Sequence, residues 1–458
     1  MSEERVAITP APALPSATLS RERQAHVEVG RTDVAPATAR AMAVMFAVMI
    51  AIVPLVEWLG VNALAAQGLE PSWSHLTRLH AGIRDELAAL PGAGAWDRIV
   101  RVNRRALAAL SAFETALEDE SLLGRTLRPP AQLALTRWLG AGNERVYKGA
   151  GGWLFYRPDV EYVTGRPFLE PRMLERRIGS ASEWDRPPQP DPRPAIARFR
   201  RDLAARGITL VVMPTPVKPS IHPEALASGY GGLRGALHNP SYAPLLEDLR
   251  RDGTLVFDPA AALTQSRRFG PQYLETDTHW RPEAMEEVAE LLARFVREHV
   301  PLSSASASYR IERQEITNAG DTARMLDLPE GSGLYPPETV WIRRILREDG
   351  TLWRSSRDAD VLLLGDSFTN IYALESMGWG TSAGLAEQLS YALGRPVDRL
   401  VQNDEAAYAT RAVLDRDPSR LDGKRVVIYQ FATRELSFGD WRAPLTAPEY
   451  GSRGRRRR

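Results

Sequence analysis

The chain contains no cysteine among its 458 residues. This absence excludes disulfide bonds, catalysis by a thiol and metal sites built from thiolates. An excess of charge is also missing, since 58 lysine and arginine residues oppose 57 aspartate and glutamate residues and leave a formal net charge of +1. Proteins that bind nucleic acid normally carry a strong basic excess, so we expect no nucleic-acid partner. What remains is an ordinary globular composition, with 44% hydrophobic and 25% charged residues.

One long apolar segment lies near the N-terminus, at residues 41–61, where AMAVMFAVMIAIVPLV carries no charge. The whole segment reaches about 20 residues, enough to cross a hydrocarbon core of roughly 30 Å. Arg40 and further arginines before it favour the N-terminal side as cytoplasmic. A cleaved signal peptide rarely begins so far into a chain. We therefore predict an uncleaved signal anchor, with a buried helix of a soluble domain as the alternative, and a disordered cytoplasmic tail over residues 1–40.

A helical stem is predicted over residues 62–140. Apolar side chains recur at three- and four-residue spacing from Leu76 to Leu90, and again from Ile99 to Leu117. Such a stem could serve as a spacer, a docking surface for a partner or a lid. Packing against the main domain is the simplest role.

The composition of the sequence changes after Val146. A glycine-rich stretch is followed by the β-favouring residues Trp153 to Tyr156. Short apolar segments then alternate with helical patterns, at residues 208–213, 254–257, 361–364, 397–401 and 426–429. Short, uniformly apolar strands are typical of a parallel sheet that is covered on both faces. The alternation of strand and helix predicts a doubly wound α/β domain, which we assign to residues 141–445.

Two short motifs carry the candidate chemistry, Asp277-Thr278-His279-Trp280 ahead of a predicted helix and Gly365-Asp366-Ser367-Phe368 directly after an apolar strand. Ligands of such sheets bind beyond the carboxyl ends of the strands, where Ser367 falls. Asp277 lies close enough in sequence to orient the His279 ring and leave its other nitrogen free as a base. A hydroxyl, an imidazole and a carboxylate together can activate a serine nucleophile.

Each motif also has a plainer interpretation when taken alone. Ser367 could cap a helix, and His279 could be a structural residue. A metal site that includes Asp277 and His279 is disfavoured, because no further cluster of histidine or cysteine accompanies them. We expect neither a metal nor another cofactor.

The ordered set of motifs resembles the alginate O-acetyltransferase family of AlgJ and AlgX, whose catalytic domain is SGNH-hydrolase-like. The similarity covers residues 146 to about 441. It rests on Tyr147-Lys148-Gly149 with Gly152 to Tyr156, Pro214 to Lys218, Asp277 to Trp280, Gly320-Asp321 with Met325-Leu326, Gly365 to Phe368, and Arg434-Glu435-Leu436. Ordinary SGNH hydrolases carry the serine block first and the Asp/His block last. The order is reversed here, as in this acetyltransferase group.

The resemblance implies a role for each site residue. Ser367 would be the nucleophile that accepts an acetyl group, His279 the general base and Asp277 the residue that orients His279. The backbone N–H of Ser367 would contribute to the oxyanion hole, with Asn403 as a candidate side-chain donor. Tyr429 and Arg434 flank the end of the last strand and are candidates for substrate contact. Strand packing and a surface ion pair are their alternatives.

The function implied by the resemblance is a membrane-anchored O-acetyltransferase that acts on an exported polysaccharide. The family works beside a membrane-bound O-acyltransferase that supplies acetyl groups, so we expect such a partner. The anchor would span the inner membrane once and hold the catalytic domain in the periplasm. A glycan deacetylase or esterase with the same triad, and a non-catalytic glycan-binding subunit of an export complex, remain alternatives. The arginine-rich tail at 446–458 is expected to be disordered, although it could touch an acidic polymer or lipid headgroups.

Overall fold

A computed structural model of the chain describes residues 35–442, apart from 67–69, 72, 89–93, 120, 182–185, 305 and 406. The tail predicted at 446–458 and most of the tail predicted at 1–40 lie outside these residues. The chain forms two compact units, one before Arg128 and one from Arg128 onward. This division comes earlier than the expected end of the stem at 140, because the end of the last stem helix belongs to the second unit. There the Gln132 side chain donates to the carbonyl of Gly142 at 3.1 Å.

The first unit is helical. Its helices are Pro36–Leu59, Val61–Ala66, Ser74–Ala88, Ala95–Asp119 and the start of Leu122–Trp138. The helix Pro36–Leu59 has 24 residues and is long and apolar enough to cross a membrane, by length and composition. It begins at a proline, which suits a first helical turn, so residues 36–40 are helical where a disordered tail was expected. The two helices predicted from the apolar spacing in the stem are present and pack against each other.

The second unit is built on a five-stranded parallel sheet, whose strands lie side by side in the order Leu255–Val256, Thr209–Thr215, Val426–Ala432, Val361–Gly365 and Asp398–Val401. The strands are β3 (Thr209–Thr215), β4 (Leu255–Val256), β7 (Val361–Gly365), β8 (Asp398–Val401) and β9 (Val426–Ala432). Each corresponds to one of the five predicted apolar segments. Residues of β7 and β9 are buried throughout, as expected for strands covered on both faces. The predicted α/β class is therefore confirmed.

Helices surround this sheet. They are Arg157–Thr164, Pro171–Ile178, Pro192–Ala204, Lys218–Ile221, Pro223–Leu226, Tyr242–Arg251, Ala260–Ser266, Pro282–His299, Asp321–Met325, Ser367–Asn370, Leu385–Leu393, Ala409–Arg416 and Glu435–Phe438. The helix Pro282–His299 follows the Asp277-Thr278-His279-Trp280 motif, as predicted. Met285, Val288 and Leu292 line its buried face at three- and four-residue spacing, and this face packs the helix onto the core.

Two antiparallel strand pairs lie outside the main sheet. β1 (Val146–Lys148) pairs with β2 (Leu154–Tyr156), where the β-favouring stretch was predicted. β5 (Tyr309–Asn318) pairs with β6 (Glu338–Arg347), and we call this pair the ribbon. The sequence analysis did not predict the ribbon. Its Asn318–Glu338 end and the connection between its strands supply residues to the site described next.

Candidate active site

The turn that carries Ser367, the candidate nucleophile, follows β7 at the carboxyl edge of the sheet, and we call it the nucleophile turn. Ser367 begins the short helix Ser367–Asn370, and the Asp366 carboxylate caps it by accepting from the N–H of Phe368 at 2.9 Å. Gly365 is needed for the tightness of this turn, because a Cβ there would lie 2.2 Å from Thr369 Oγ1. Ser367 is nearly buried, with 8% of its surface exposed.

A buried glutamine of the central strand holds the nucleophile turn in place. Gln430 Oε1 accepts from the N–H of Asp366 at 3.0 Å and from Thr369 Oγ1 at 2.8 Å. Its Nε2 donates to Asp366 Oδ1 at 3.0 Å and to Thr215 Oγ1 at 2.9 Å. Both amide hydrogens and both acceptor positions of Gln430 are thereby used. The turn that carries Ser367 is thus fixed to β9 by side-chain hydrogen bonds.

The second turn brings His279 and Asp277 together. His279 Nδ1 donates to Asp277 Oδ1 at 2.7 Å, and the His279 backbone N–H donates to the same oxygen at 3.1 Å. The other oxygen, Oδ2, accepts from Trp379 Nε1 and from the backbone N–H of Asp321, both at 2.9 Å. Burial alone would raise the pKa of Asp277. The hydrogen bond and charge of His279, with the other donors, hold that pKa well below its usual value.

The charge state of His279 follows from the same contacts. Burial lowers the pKa of the imidazole, but the carboxylates of Asp277 and Asp321 outweigh burial and leave the pKa raised. Because Nδ1 donates to Asp277, Nε2 is the nitrogen that carries the lone pair in the neutral ring. Nε2 is buried and lies within hydrogen-bond distance of no other group in the part of the chain that the structure describes.

The two turns contact each other through their aromatic neighbours. The ring of Phe368 lies 4.8 Å from the His279 ring and 5.4 Å from the Trp280 ring. Trp280 Nε1 donates to the carbonyl of Phe368 at 3.2 Å, and the Tyr372 hydroxyl donates to the carbonyl of Trp280 at 2.6 Å. The structure therefore brings the predicted residues Ser367, His279 and Asp277 to one edge of the sheet. Ser367 and His279 are not hydrogen-bonded to each other.

Asn403 follows β8 and lies beside the helix that Ser367 begins. Its Oδ1 accepts from Asn370 Nδ2 at 3.0 Å, and its Nδ2 lies 3.7 Å from Met377 Sδ. The side chain is half-buried. The role of Asn403 as an oxyanion donor stays a prediction.

The structure corrects the expectation that Tyr429 contacts substrate. Tyr429 is completely buried, and its hydroxyl donates to the carbonyl of Ala407 at 3.0 Å. Its ring packs edge-on against Phe431 and Trp441. β9 is covered on both faces and runs on to Ala432, so Tyr429 lies inside the strand and packs in the core.

Arg434 forms an ion pair beside the site. Its Nη1 lies 3.0 Å from Oδ1 of the buried Asp159, and its guanidinium carbon lies 5.7 Å from the centre of the Phe368 ring. Burial lowers the pKa of Arg434, but Asp159 and Asp366 outweigh it and raise the pKa. An ion pair is therefore present, but it is largely buried and not the surface pair given as the alternative, and it lies next to the residue that follows Ser367.

Four further residues of the site received no role from the sequence: Asp321, Trp379, Gln430 and Lys218. Lys218 is completely buried and donates to the carbonyls of Leu154 at 2.6 Å and Glu275 at 3.1 Å. Burial lowers the pKa of Lys218 to about 8. Asp321 and Lys218 lie in motifs that carry the family resemblance, but the sequence analysis assigned no function to either residue. Trp379 and Gln430 had no sequence signal, because their partners are distant in the chain.

The carboxylate oxygens of Asp277 and Asp321 and the ring of His279 offer potential metal ligands within 4.8 Å of one another. Both oxygens of Asp277 already accept N–H donors. Oδ1 of Asp321 accepts the N–H of Thr278 at 2.7 Å and its hydroxyl at 3.0 Å. A cation would have to displace these donors, so the donor set fits a hydrogen-bonded network better than a metal centre.

Comparison with known proteins identifies the family of the chain. The family model described as the SGNH hydrolase-like domain of the acetyltransferase AlgX matches residues 146–433, well over half of the chain. A probable alginate O-acetylase AlgJ of Pseudomonas aeruginosa is 27% identical over 325 residues, which cover 67% of this chain and 76% of that protein. A second, from Pseudomonas fluorescens, is 26% identical over 251 residues, which cover 53% of this chain and 60% of that protein.

Among solved structures, the O-acetyltransferase domain of Pseudomonas putida AlgJ is similar, with a TM-score of 0.49 and 20% identity. The similarity covers 66% of this chain and 95% of that domain. The extent of the family match, from β1 to the residue after β9, confirms the resemblance drawn from the motifs. The chain belongs to the AlgX family of acetyltransferases with an SGNH hydrolase-like domain.

Proposed function

We propose that this chain is a polysaccharide O-acetyltransferase that works through an acetyl group carried on Ser367. One observation supports the mechanism most strongly: His279 Nδ1 is bound to Asp277 at 2.7 Å, which leaves the buried Nε2 as the base beside the nucleophile turn. Hydrogen bonds in such sites often form only when the reactants bind, so the absence of a Ser367–His279 bond does not count against the pair.

In the first half-reaction, Ser367 Oγ attacks the carbonyl carbon of an acetyl donor while His279 Nε2 takes the hydroxyl proton. The negative charge that develops on the carbonyl oxygen is stabilised by the N–H of Ser367 and by Nδ2 of Asn403. Asp277 stabilises the imidazolium. The donor's leaving group then departs with the proton from His279, and the acetyl ester of Ser367 remains.

In the second half-reaction, a hydroxyl of the polysaccharide attacks the acetyl carbon and gives its proton to His279 Nε2. The bond to Ser367 Oγ breaks, and the oxygen recovers the proton from His279. The same site hydrolyses the ester if water reaches it before the acceptor does.

We further propose that the helix Pro36–Leu59 is an uncleaved anchor in the inner membrane. The second unit would then be the periplasmic catalytic domain, with the stem helices between the two. A membrane-bound O-acyltransferase would supply the acetyl groups. The length of this helix and its lack of charged residues between Ala41 and Val56 support the anchor.

The mechanism is tested on the full chain in detergent, with an activated acetyl ester as donor and alginate, the polymer named for its relatives, as first acceptor. Intact mass should show one acetyl group on Ser367 that persists in water and moves to the glycan. Ser367→Ala should abolish it, and the control Ser180→Ala, which alters an exposed hydroxyl, should not. Release as acetate regardless of glycan would identify a hydrolase, and no acetylation at Ser367 would refute the enzyme.

The absence of cysteine makes the orientation directly testable. Ser180→Cys introduces a single, exposed thiol into the catalytic unit. A thiol reagent that cannot cross the inner membrane should label this variant in intact cells. Labelling only after the inner membrane is broken would contradict a periplasmic catalytic unit.

A further inference from the structure

The connection between the ribbon strands closely approaches the turn that carries His279. Gly320 lies so near that a Cβ there would be 1.9 Å from the carbonyl oxygen of Thr276. The N–H of Ala323 donates to that carbonyl at 3.1 Å. At the start of β6, Glu338 Oε1 accepts from the N–H of Thr276 at 2.8 Å, and its Oε2 accepts from the N–H of Glu275 at 3.0 Å. The ribbon and its connection thus hold the backbone just before Asp277.

Asp321 makes the most direct of these contacts, because it touches three consecutive residues of the turn. Its N–H donates to Asp277 Oδ2 at 2.9 Å. Its Oδ1 accepts from the N–H and the hydroxyl of Thr278, at 2.7 and 3.0 Å. Its Oδ2 lies 3.8 Å from His279 Nδ1, the nitrogen that also binds Asp277.

We propose that Asp321 is a second acidic positioning residue, which fixes the Asp277–His279 pair and stabilises the imidazolium that forms on His279 during acyl transfer. The inference rests on the proposed function and assigns to it a residue outside the three-residue set. Two carboxylates then face one imidazole. Asp277 holds the tautomer, and Asp321 adds negative charge without a direct hydrogen bond to the ring.

The charged groups around His279 make the direction of this effect clear. Asp277 and Asp321 favour the protonated ring, while Arg434 disfavours it, and the ring of Phe368 covers one side. Burial and the neighbouring Asp277 raise the pKa of Asp321 itself to about 6. Asp321 therefore carries its charge at neutral pH and loses it in mildly acidic solution.

The test compares the rate of Ser367 acylation across pH in the full chain and in Asp321→Asn. Asparagine keeps the backbone N–H and an acceptor for Thr278 but removes the charge. The acid limb of the profile should move to lower pH by about one unit, because the pKa of His279 falls when a nearby opposite charge is lost. The thermal midpoint should stay close to that of the unaltered chain. Glu330→Gln, an exposed neutralisation on the same connection, should change neither.

An Asp321→Asn profile that superimposes on that of the unaltered chain would overturn the proposal. If the variant does not fold, Thr278→Val removes one of the two bonds that align Asp321 and leaves its charge. Slower acylation at an unchanged thermal midpoint would then support the proposal, and an unchanged rate would overturn it. Failure of the unaltered chain to acylate at Ser367 is a different result, because it refutes the proposed function itself.

Discussion

Trp379 Nε1 lies 2.9 Å from Oδ2 of Asp277, although 102 positions separate the two residues in the chain. Both side chains are almost completely buried. The indole N–H is one of four donors to this carboxylate, together with the ring and backbone N–H of His279 and the backbone N–H of Asp321. Because donors bind both oxygens of Asp277, the plane of its carboxylate is fixed, and this sets the orientation in which the carboxylate binds His279.

Trp379→Phe should therefore slow acylation of Ser367. Removing a donor from a buried charged acceptor costs about 1–3 kcal/mol. If about half of that cost appears in the transition state, the rate falls by a factor of about 2 to 13. Acylation kinetics by intact mass measure the effect. Trp353→Phe is the matched control, because the indole of Trp353 is also buried and donates to Ser390 Oγ at 2.9 Å. An equal loss of acylation rate in Trp353→Phe would contradict a specific role for Trp379.

Gln430→Met should lower both stability and acylation. The substitution keeps the size of the side chain but leaves the N–H of Asp366 and the hydroxyls of Thr369 and Thr215 without their partner. The expected loss in the free energy of unfolding is about 2–5 kcal/mol, measured by urea denaturation. In Gln388→Met, which removes another buried amide, stability should fall while the acylation rate of the folded protein holds. Normal acylation by folded Gln430→Met would show that the nucleophile turn needs no support from β9.

Gly320→Ala should destabilise the ribbon connection and distort the turn that carries His279. The backbone angles of Gly320 suit alanine, but its Cβ would lie 1.9 Å from the carbonyl oxygen of Thr276 and 2.6 Å from the N of Asp277. We expect a loss of more than about 2 kcal/mol and a strong fall in acylation. Gly232→Ala has no atom within 4 Å of its Cβ and should be neutral. A stable, active Gly320→Ala would refute this close approach.

Glu286 should make stability depend on pH. Burial, only partly offset by Arg343, raises the pKa of Glu286 from 4.5 to about 7. Because the folded protein binds this proton more tightly than the unfolded chain does, the stabilising contribution is complete below pH 4.5 and is lost as pH rises through 7.

Glu286→Gln removes that ionisation. Its free energy of unfolding relative to the unaltered chain should therefore increase between pH 4.5 and 7, by about 3 kcal/mol. Denaturation at several pH values measures this difference. The control is Glu298→Gln, an exposed change on the same helix, whose difference in free energy of unfolding from the unaltered chain should not vary with pH. If the difference for Glu286→Gln is also constant, the carboxyl of Glu286 ionises normally.

The sheet could be predicted from the sequence because its signal is local. Four of the five strands of the main sheet are mainly apolar runs, and only β8, with Asp398 and Arg399, is not. The 3.6-residue period of the helix Pro282–His299 is visible in its own residues. The ribbon has no such signal, because most residues of β5 are exposed and carry mixed charges. Its buried side chains, such as Val340 and Ile342, lie on β6 alone.

The residues proposed to react could be singled out from the sequence, since Asp277 and His279 lie within one turn and Ser367 follows a strand. The groups that hold them could not. Trp379, Gln430 and Asp321 act through contacts that only the folded chain creates. For Tyr429 the sequence prediction was wrong, because the strand runs on to Ala432 and leaves Tyr429 in its buried middle instead of at its end.

Because the ribbon connection supports the turn at Asp277, local unfolding should affect the two halves of the site differently. Ser367 depends on β9 in the centre of the sheet, whereas His279 depends on a connection at the periphery. Peripheral segments exchange their amide hydrogens through smaller openings than central strands do. The base should therefore detach from the nucleophile while the sheet is still intact, and acetyl transfer should fail on warming before the protein melts.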